Sequence, residues 1–173
     1  MARRTCIAGN WKMNKTREEA VALVTELNNA VGDVQETEVV VCPPFTALWA
    51  VVDTLQDSAI GVGAQNIHWE ESGAFTGEIA PAMLTEIPVE YAIVGHSERR
   101  QYFNESDETV NKRLNAAQAA GLTPIVCVGE TLEQREQGDT EDVVERQLTG
   151  GLAGLSPEQL EGIILAYEPV WAI

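Results

Sequence analysis

GIILAYE, Gly162–Glu168, is an apolar run of strand length that ends on a carboxylate and passes at once into PVWAI, Pro169–Ile173. It shows no polar alternation, so it reads as a strand buried on both faces, and such a strand belongs in a parallel sheet covered by helices. Five earlier runs have the same character: TCIAGN (Thr5–Asn10), EVVVCPP (Glu38–Pro44), IGVGAQ (Ile60–Gln65), YAIVGH (Tyr91–His96) and TPIVCVGE (Thr123–Glu130). Helical signals lie between them. Thr16 and Glu19 form a capping-box pair, apolar residues recur at Val21, Val24, Leu27 and Val31, and Gly32 can end that helix. TALWAVVDTL suits a helix, and IAPAMLTEI suits one with Pro81 in its first turn. Ser106 caps a helix that runs to Gly121 with acids in its first turn. Thr140–Leu148 is helical, and Ser156, Pro157 and Gln159 open one more turn. Asn66–Gly77 is a long polar loop.

Six strands alternating with helices define an α/β protein. Periodicity leaves two architectures open, a doubly wound sheet and a (β/α) barrel. A barrel takes eight strands and about 250 residues, and this chain of 173 has room for six. With no linker or low-complexity segment, residues 1–173 read as one domain.

Composition narrows the function classes. The 27 acids against 11 bases give a net charge of -16, which argues against a nucleic-acid or anionic-membrane partner. The excess marks either adaptation to high salt or simply an acidic, soluble surface. No apolar run is long enough to cross a membrane, and MARRTCIAGN has no signal-peptide core, so a cytoplasmic location is expected. Cys6, Cys42 and Cys127 each lie inside a strand-like run; an odd, widely spaced set points to buried thiols and away from disulfides or zinc.

The polar residues gather where the runs end. Asn10 and Lys12 follow the first, Gln65 and Asn66 close the third, His96 follows the fourth, Glu130 closes the fifth and Glu168 the sixth. In α/β folds those strand ends face the active site. Singly, a lysine after a strand is most often a solvated surface group and a lone histidine most often structural. Together, a lysine, a histidine and a strand-end glutamate fit proton abstraction beside a carbonyl: the carboxylate takes the proton and the donors hold the developing enolate oxygen. No GxGxxG or GxxxxGK[ST] pattern occurs, and two isolated histidines make no metal cluster.

AGNWKMN (Ala8–Asn14), VGHSERR (Val94–Arg100) and AYEPVWAI (Ala166–Ile173), with CPPF (Cys42–Phe45), GAQN (Gly63–Asn66), GAFTGEIAP (Gly73–Pro81) and VCVGET (Val126–Thr131), resemble the signature stretches of the triosephosphate isomerase family in order and spacing. The resemblance runs from Arg3 to Ile173 and implies a (β/α)8-barrel fold, here an incomplete barrel of six parallel strands. It implies interconversion of dihydroxyacetone phosphate and glyceraldehyde 3-phosphate without cofactor or metal. By motif position Glu168 is the general base, His96 the neutral electrophile, and Lys12 the positive charge facing substrate and transition state; Asn10 helps bind the substrate. The resemblance thus implies a glutamate base, a neutral histidine at a helix N-terminus and a closing lid. Ser97 and Glu98 match supporting positions. GAFTGEIAP resembles the arm that reaches into a partner subunit, with Thr76 at its tip; Thr76 and Gln65 are the expected homodimer contacts.

In that family EPVWAI is the hinge of a lid whose tip, two further strands and phosphate-binding loops come next. The chain as given carries the proton-transfer residues without those parts. On its own it is expected to be inactive or nearly so, because remote binding energy orients the substrate and a lid excludes water from the intermediate. The alternative is a non-catalytic fragment that serves as a folding or association module. Strands one and six should then present unpaired edges.

Overall fold

The computed structural model describes residues 5–173; Met1–Arg4, with the two arginines of the opening segment, lie outside the described residues. Among the described residues six strands and eight helices follow one another in chain order and form two compact units. The first unit comprises residues up to Gln65 together with Ala82–Tyr91, and the second Asn66–Pro81 with Ala92–Ile173.

In the first unit β1 (Thr5–Asn10), β2 (Thr37–Cys42) and β3 (Gly61–Ala64) form a parallel sheet, with Thr5 opposite Thr37 and Val40 opposite Gly61. The crossovers are α1 (Arg17–Val31) and α2 (Phe45–Thr54). The Thr16–Glu19 capping box forms as expected, both halves present, and satisfies two of the otherwise orphaned amides of the first turn. Ala20 and Val24 of α1 are fully buried, as are Ala47, Leu48 and Val51 of α2, and the two helices pack together. Gly32 does end α1, but in the right-handed conformation with φ -61°. A Cβ there would meet Asn28 Oδ1 at 2.1 Å and its carbonyl at 2.5 Å, so space and not backbone freedom requires the glycine. The short α3 (Pro81–Thr85) begins at the expected proline.

The second unit contains β4 (Tyr91–Val94, from Ala92 onward), α4 (Ser97–Tyr102), α5 (Asp107–Ala119), β5 (Thr123–Val128), α6 (Leu132–Gln137), α7 (Thr140–Gly151), α8 (Pro157–Glu161), β6 (Ile164–Tyr167) and a 3₁₀ turn at Val170–Ala172. β5 and β6 run parallel, Ile125 opposite Ile164 and Val128 opposite Tyr167. Ser106 caps α5 as expected, through Thr109. Helices α4 and α6 were not expected: at six residues each they are too short to show an apolar period, although Thr131 and Gln134 form a capping box that opens α6.

The polar loop after β3 is anchored from beneath. Arg113, buried on α5, donates to the side chain of Asn66, the carbonyl of Ile67 and the carboxylate of Glu78. His68 stacks 4.1 Å from Trp69 and lies 4.4 Å from Phe75.

Burial corrects one expectation. β3, β4 and β5 are buried as apolar runs should be, but β6, the run GIILAYE, alternates half-buried and exposed, with Leu165 48% and Tyr167 49% accessible. β1 is exposed likewise, Ile7 at 62%. Both are terminal in the strand order, so each has a neighbour on one side only among the described residues. Their apolar sequences specify burial that this set of strands does not supply.

Candidate active site

His96 sits where β4 gives way to α4. It is 4% exposed, and its Nδ1 accepts the Glu98 main-chain N–H at 3.2 Å. An N–H aimed at Nδ1 leaves no room for a proton on that nitrogen, so the neutral ring carries its proton on Nε2. The Glu98 carboxylate, 3.6 Å from the same Nδ1, would favour a proton there, but it is 42% exposed and screened by water. Nε2 points the other way, to within 3.4 Å of Glu168 Oε2.

Glu168 is delivered by the end of β6, and its N–H donates to the carbonyl of Val128 at 2.8 Å. Its side chain is 39% exposed, yet Oε2 is shielded from solvent and has no hydrogen-bond partner among the described residues. A carboxylate with an unengaged lone pair beside a neutral N–H donor can accept a proton from carbon while the donor holds the neighbouring oxygen. Glu168 and Ser97, the first residue of α4, both line a cavity of about 870 Å³ within the second unit.

Glu130, which the sequence places only at a strand end, proves to be fully buried. Tyr167 Oη donates to its Oε2 at 2.9 Å, Trp171 Nε1 donates to its Oε1 at 3.1 Å, and Arg135 Nη1 stands 3.3 Å away. Burial pushes this carboxyl up, but the bonds from Trp171, Tyr167 and Arg135 outweigh burial and hold it below its ordinary value. One carboxylate thus grips residues on both sides of Glu168. A glutamate ending the apolar run PIVCVG was the only hint.

In the first unit Asn10 ends β1, and its Oδ1 accepts the Lys12 N–H at 3.0 Å. Lys12 holds a left-handed backbone, φ 54°, unusual for a residue with a side chain. Gln65 stabilises that turn: its Nε2 donates to the carbonyls of Lys12 at 2.9 Å and Cys42 at 2.8 Å. Asn10, Lys12 and Gln65 are therefore brought together, and so, separately, are His96, Ser97, Glu98 and Glu168. Thr76 lies exposed in the loop after β3. Among the described residues no group of His, Cys, Asp or Glu could hold a metal ion, and no helix is long and apolar enough to cross a membrane.

A family model described as triosephosphate isomerase matches residues 5–173. The triosephosphate isomerase of Carboxydothermus hydrogenoformans is 57% identical over 171 residues, covering 99% of this chain and 68% of the relative. That of Clostridium perfringens strain SM101 is 59% identical over 167 residues, covering 96% and 67%. A crystal structure of triosephosphate isomerase from Bartonella henselae superposes with a TM-score of 0.90 at 42% identity, covering 98% of this chain and 69% of that one. The fold is therefore that of the (β/α) barrel family, represented here by six of its parallel strands with their helices.

Proposed function

The chain belongs to the triosephosphate isomerase family, and from that membership we propose that it bears the proton-transfer residues for interconverting dihydroxyacetone phosphate and glyceraldehyde 3-phosphate through an enediolate. Glu168 takes a proton from the carbon beside the carbonyl and returns it to the neighbouring carbon. The Nε2–H of His96 donates to the oxygen that gains charge. Lys12 supplies positive charge to the phosphorylated substrate and Asn10 helps seat it; Ser97 and Glu98 support the histidine and lysine. No cofactor takes part in these steps. The observation that carries the reading is the 3.4 Å approach of Glu168 Oε2 to His96 Nε2, with Nδ1 already engaged.

The test is deuterium incorporation into dihydroxyacetone phosphate in D₂O, followed by NMR, which detects proton abstraction even at low turnover. Incorporation is expected with the chain and is abolished by Glu168→Gln. Undiminished incorporation in that variant would remove Glu168 as the base.

A polypeptide of these 173 residues alone should turn over far below the usual kcat/KM range of ~10⁴–10⁸ M⁻¹s⁻¹. The exposed apolar strands β1 and β6 support this, because Glu168, at the end of β6, stands beside a surface left open to water. A rate within about tenfold of that range would overturn it. The same strands favour a second reading, a folding or association module, which concentration-dependent association without binding of a phosphorylated enediolate mimic would support.

We read the chain as one partial barrel domain of a cytoplasmic homodimer, with no nucleic-acid or membrane partner. Exposed Met13, Phe45, Trp49 and Met83 in the first unit, and Thr76 and Phe75 in the second, support a subunit contact that includes Thr76 and Gln65. Sedimentation should show a dimer that Thr76→Arg weakens; a wild-type monomer at all concentrations refutes it.

A further inference from the structure

Three successive residues leaving β5 meet three successive residues leaving β6. The Val128 carbonyl accepts the Glu168 N–H at 2.8 Å, and the Glu130 carbonyl accepts the Val170 N–H at 2.9 Å. Between them Gly129 lies directly against the Glu168–Pro169 peptide. A Cβ on Gly129 would stand 2.0 Å from the Glu168 carbonyl oxygen and 2.7 Å from its carbon, closer than atoms can approach. The main chain of Glu168 thus rests on a shelf only as well placed as the Gly129 peptide itself.

That peptide is held from a third element. Gln147 on α7, 6% exposed, accepts the Gly129 N–H on Oε1 at 2.8 Å and donates from Nε2 to the Gly129 carbonyl at 3.2 Å. A primary carboxamide presents a donor and an acceptor side by side, so one side chain grips both main-chain polar groups of one residue, and with them the two peptide units that meet at Gly129. A glutamate would set a second acceptor against the carbonyl, and an aliphatic residue would leave both groups of Gly129 without this partner. Helix α7 is itself fastened: Asn111 on α5 donates from Nδ2 to the Gly151 carbonyl at 3.0 Å.

We infer that Gln147 is a positioning residue for the proposed base: its carboxamide fixes the main chain of Gly129, and that main chain fixes the backbone from which Glu168 reaches His96. This rests on the reading of Glu168 as the base, since otherwise the clamp would position nothing chemical. Displacement of a reacting group by about an ångström costs on the order of 100-fold in rate, so a clamp two contacts away matters to turnover.

The experiment is NMR on the whole 173-residue chain, comparing wild type, Gln147→Met and Gly129→Ala. Two signals are read: hydrogen exchange of the Glu168 amide, and the ring ¹⁵N resonances of His96. Gln147→Met keeps the bulk of the side chain and removes both hydrogen bonds. The Glu168 amide should exchange at least about tenfold faster while the amides of Val94 and Ile125 stay within about twofold. The His96 Nε2 resonance should move towards its position in Glu168→Gln. Gly129→Ala attacks the same shelf from the other side and should do the same, so it carries the test if Gln147→Met does not fold. A uniform rise in exchange across the unit, or an undisturbed His96 signal, overturns the inference. If these signals move but Glu168→Gln still incorporates deuterium into the substrate, the base assignment falls and the clamp stands. If Glu168→Gln is dead and these signals do not move, the base stands and Gln147 has no positioning role.

Discussion

Glu78 shows what one side chain in the anchored loop does for the molecule. Hydrogen bonding from Arg113 is the main reason its carboxyl falls to about 2 from an ordinary 4.5; burial opposes the shift, and Asn66 and Arg99 add to it. The folded chain therefore binds fewer protons here than the unfolded chain between those two values. The stabilisation is fully present above pH 4.5 and is lost as pH falls towards 2. Urea midpoints measured between those limits should drop on acidification, and Glu78→Gln should flatten the drop; an unchanged slope in the variant would assign the acid sensitivity elsewhere. The catalytic candidates were legible at this scale because they end apolar runs: His96 after YAIVG and Glu168 after IILAY. Glu130 was visible as the end of a run but its grip on Tyr167 and Trp171, 37 and 41 positions away, was not, and Gln147 was not visible at all because Gly129 lies 18 positions from it; local pattern does not encode such partners.

At the scale of elements, the interlock of α1 and α2 makes the sharpest prediction. Leu48 is fully buried on α2, and Ala20 and Val24 on the packed helix α1 are fully buried too. Leu48→Ala removes three carbons from a close-packed interior and should cost about 2–5 kcal/mol, read from chemical denaturation. A loss below about 1 kcal/mol would mean that the two helices can close the gap. The principal strands and the longer helices were readable from the sequence, since their apolar periods and capping residues agree with the structure, as at Thr16 and Ser106. The six-residue α4 and α6 escaped because a helix of under two turns shows no period. The burial of β6 was overread, because an apolar run reports what a strand needs, not how many neighbours it has.

Over the whole molecule the net charge of -16 sets a self-repulsion that ordinary packing must offset. Salt shortens the reach of exposed charges from ~30 Å at about 0.01 M to ~3 Å at about 1 M, so thermal midpoints should climb across that range. A flat response would leave an acidic, soluble surface as the full account of the composition. The described ladders carry a different consequence. β1 pairs with β2, β2 with β3 and β5 with β6, so each of these pairings joins strands that follow one another in the chain. No such pairing waits on a distant terminus, so each loop to be closed spans a single crossover. On a ribosome, a strand could dock as soon as it and its crossover helix have emerged. The nascent protein would then grow by accretion, always showing the surroundings one unsatisfied rim.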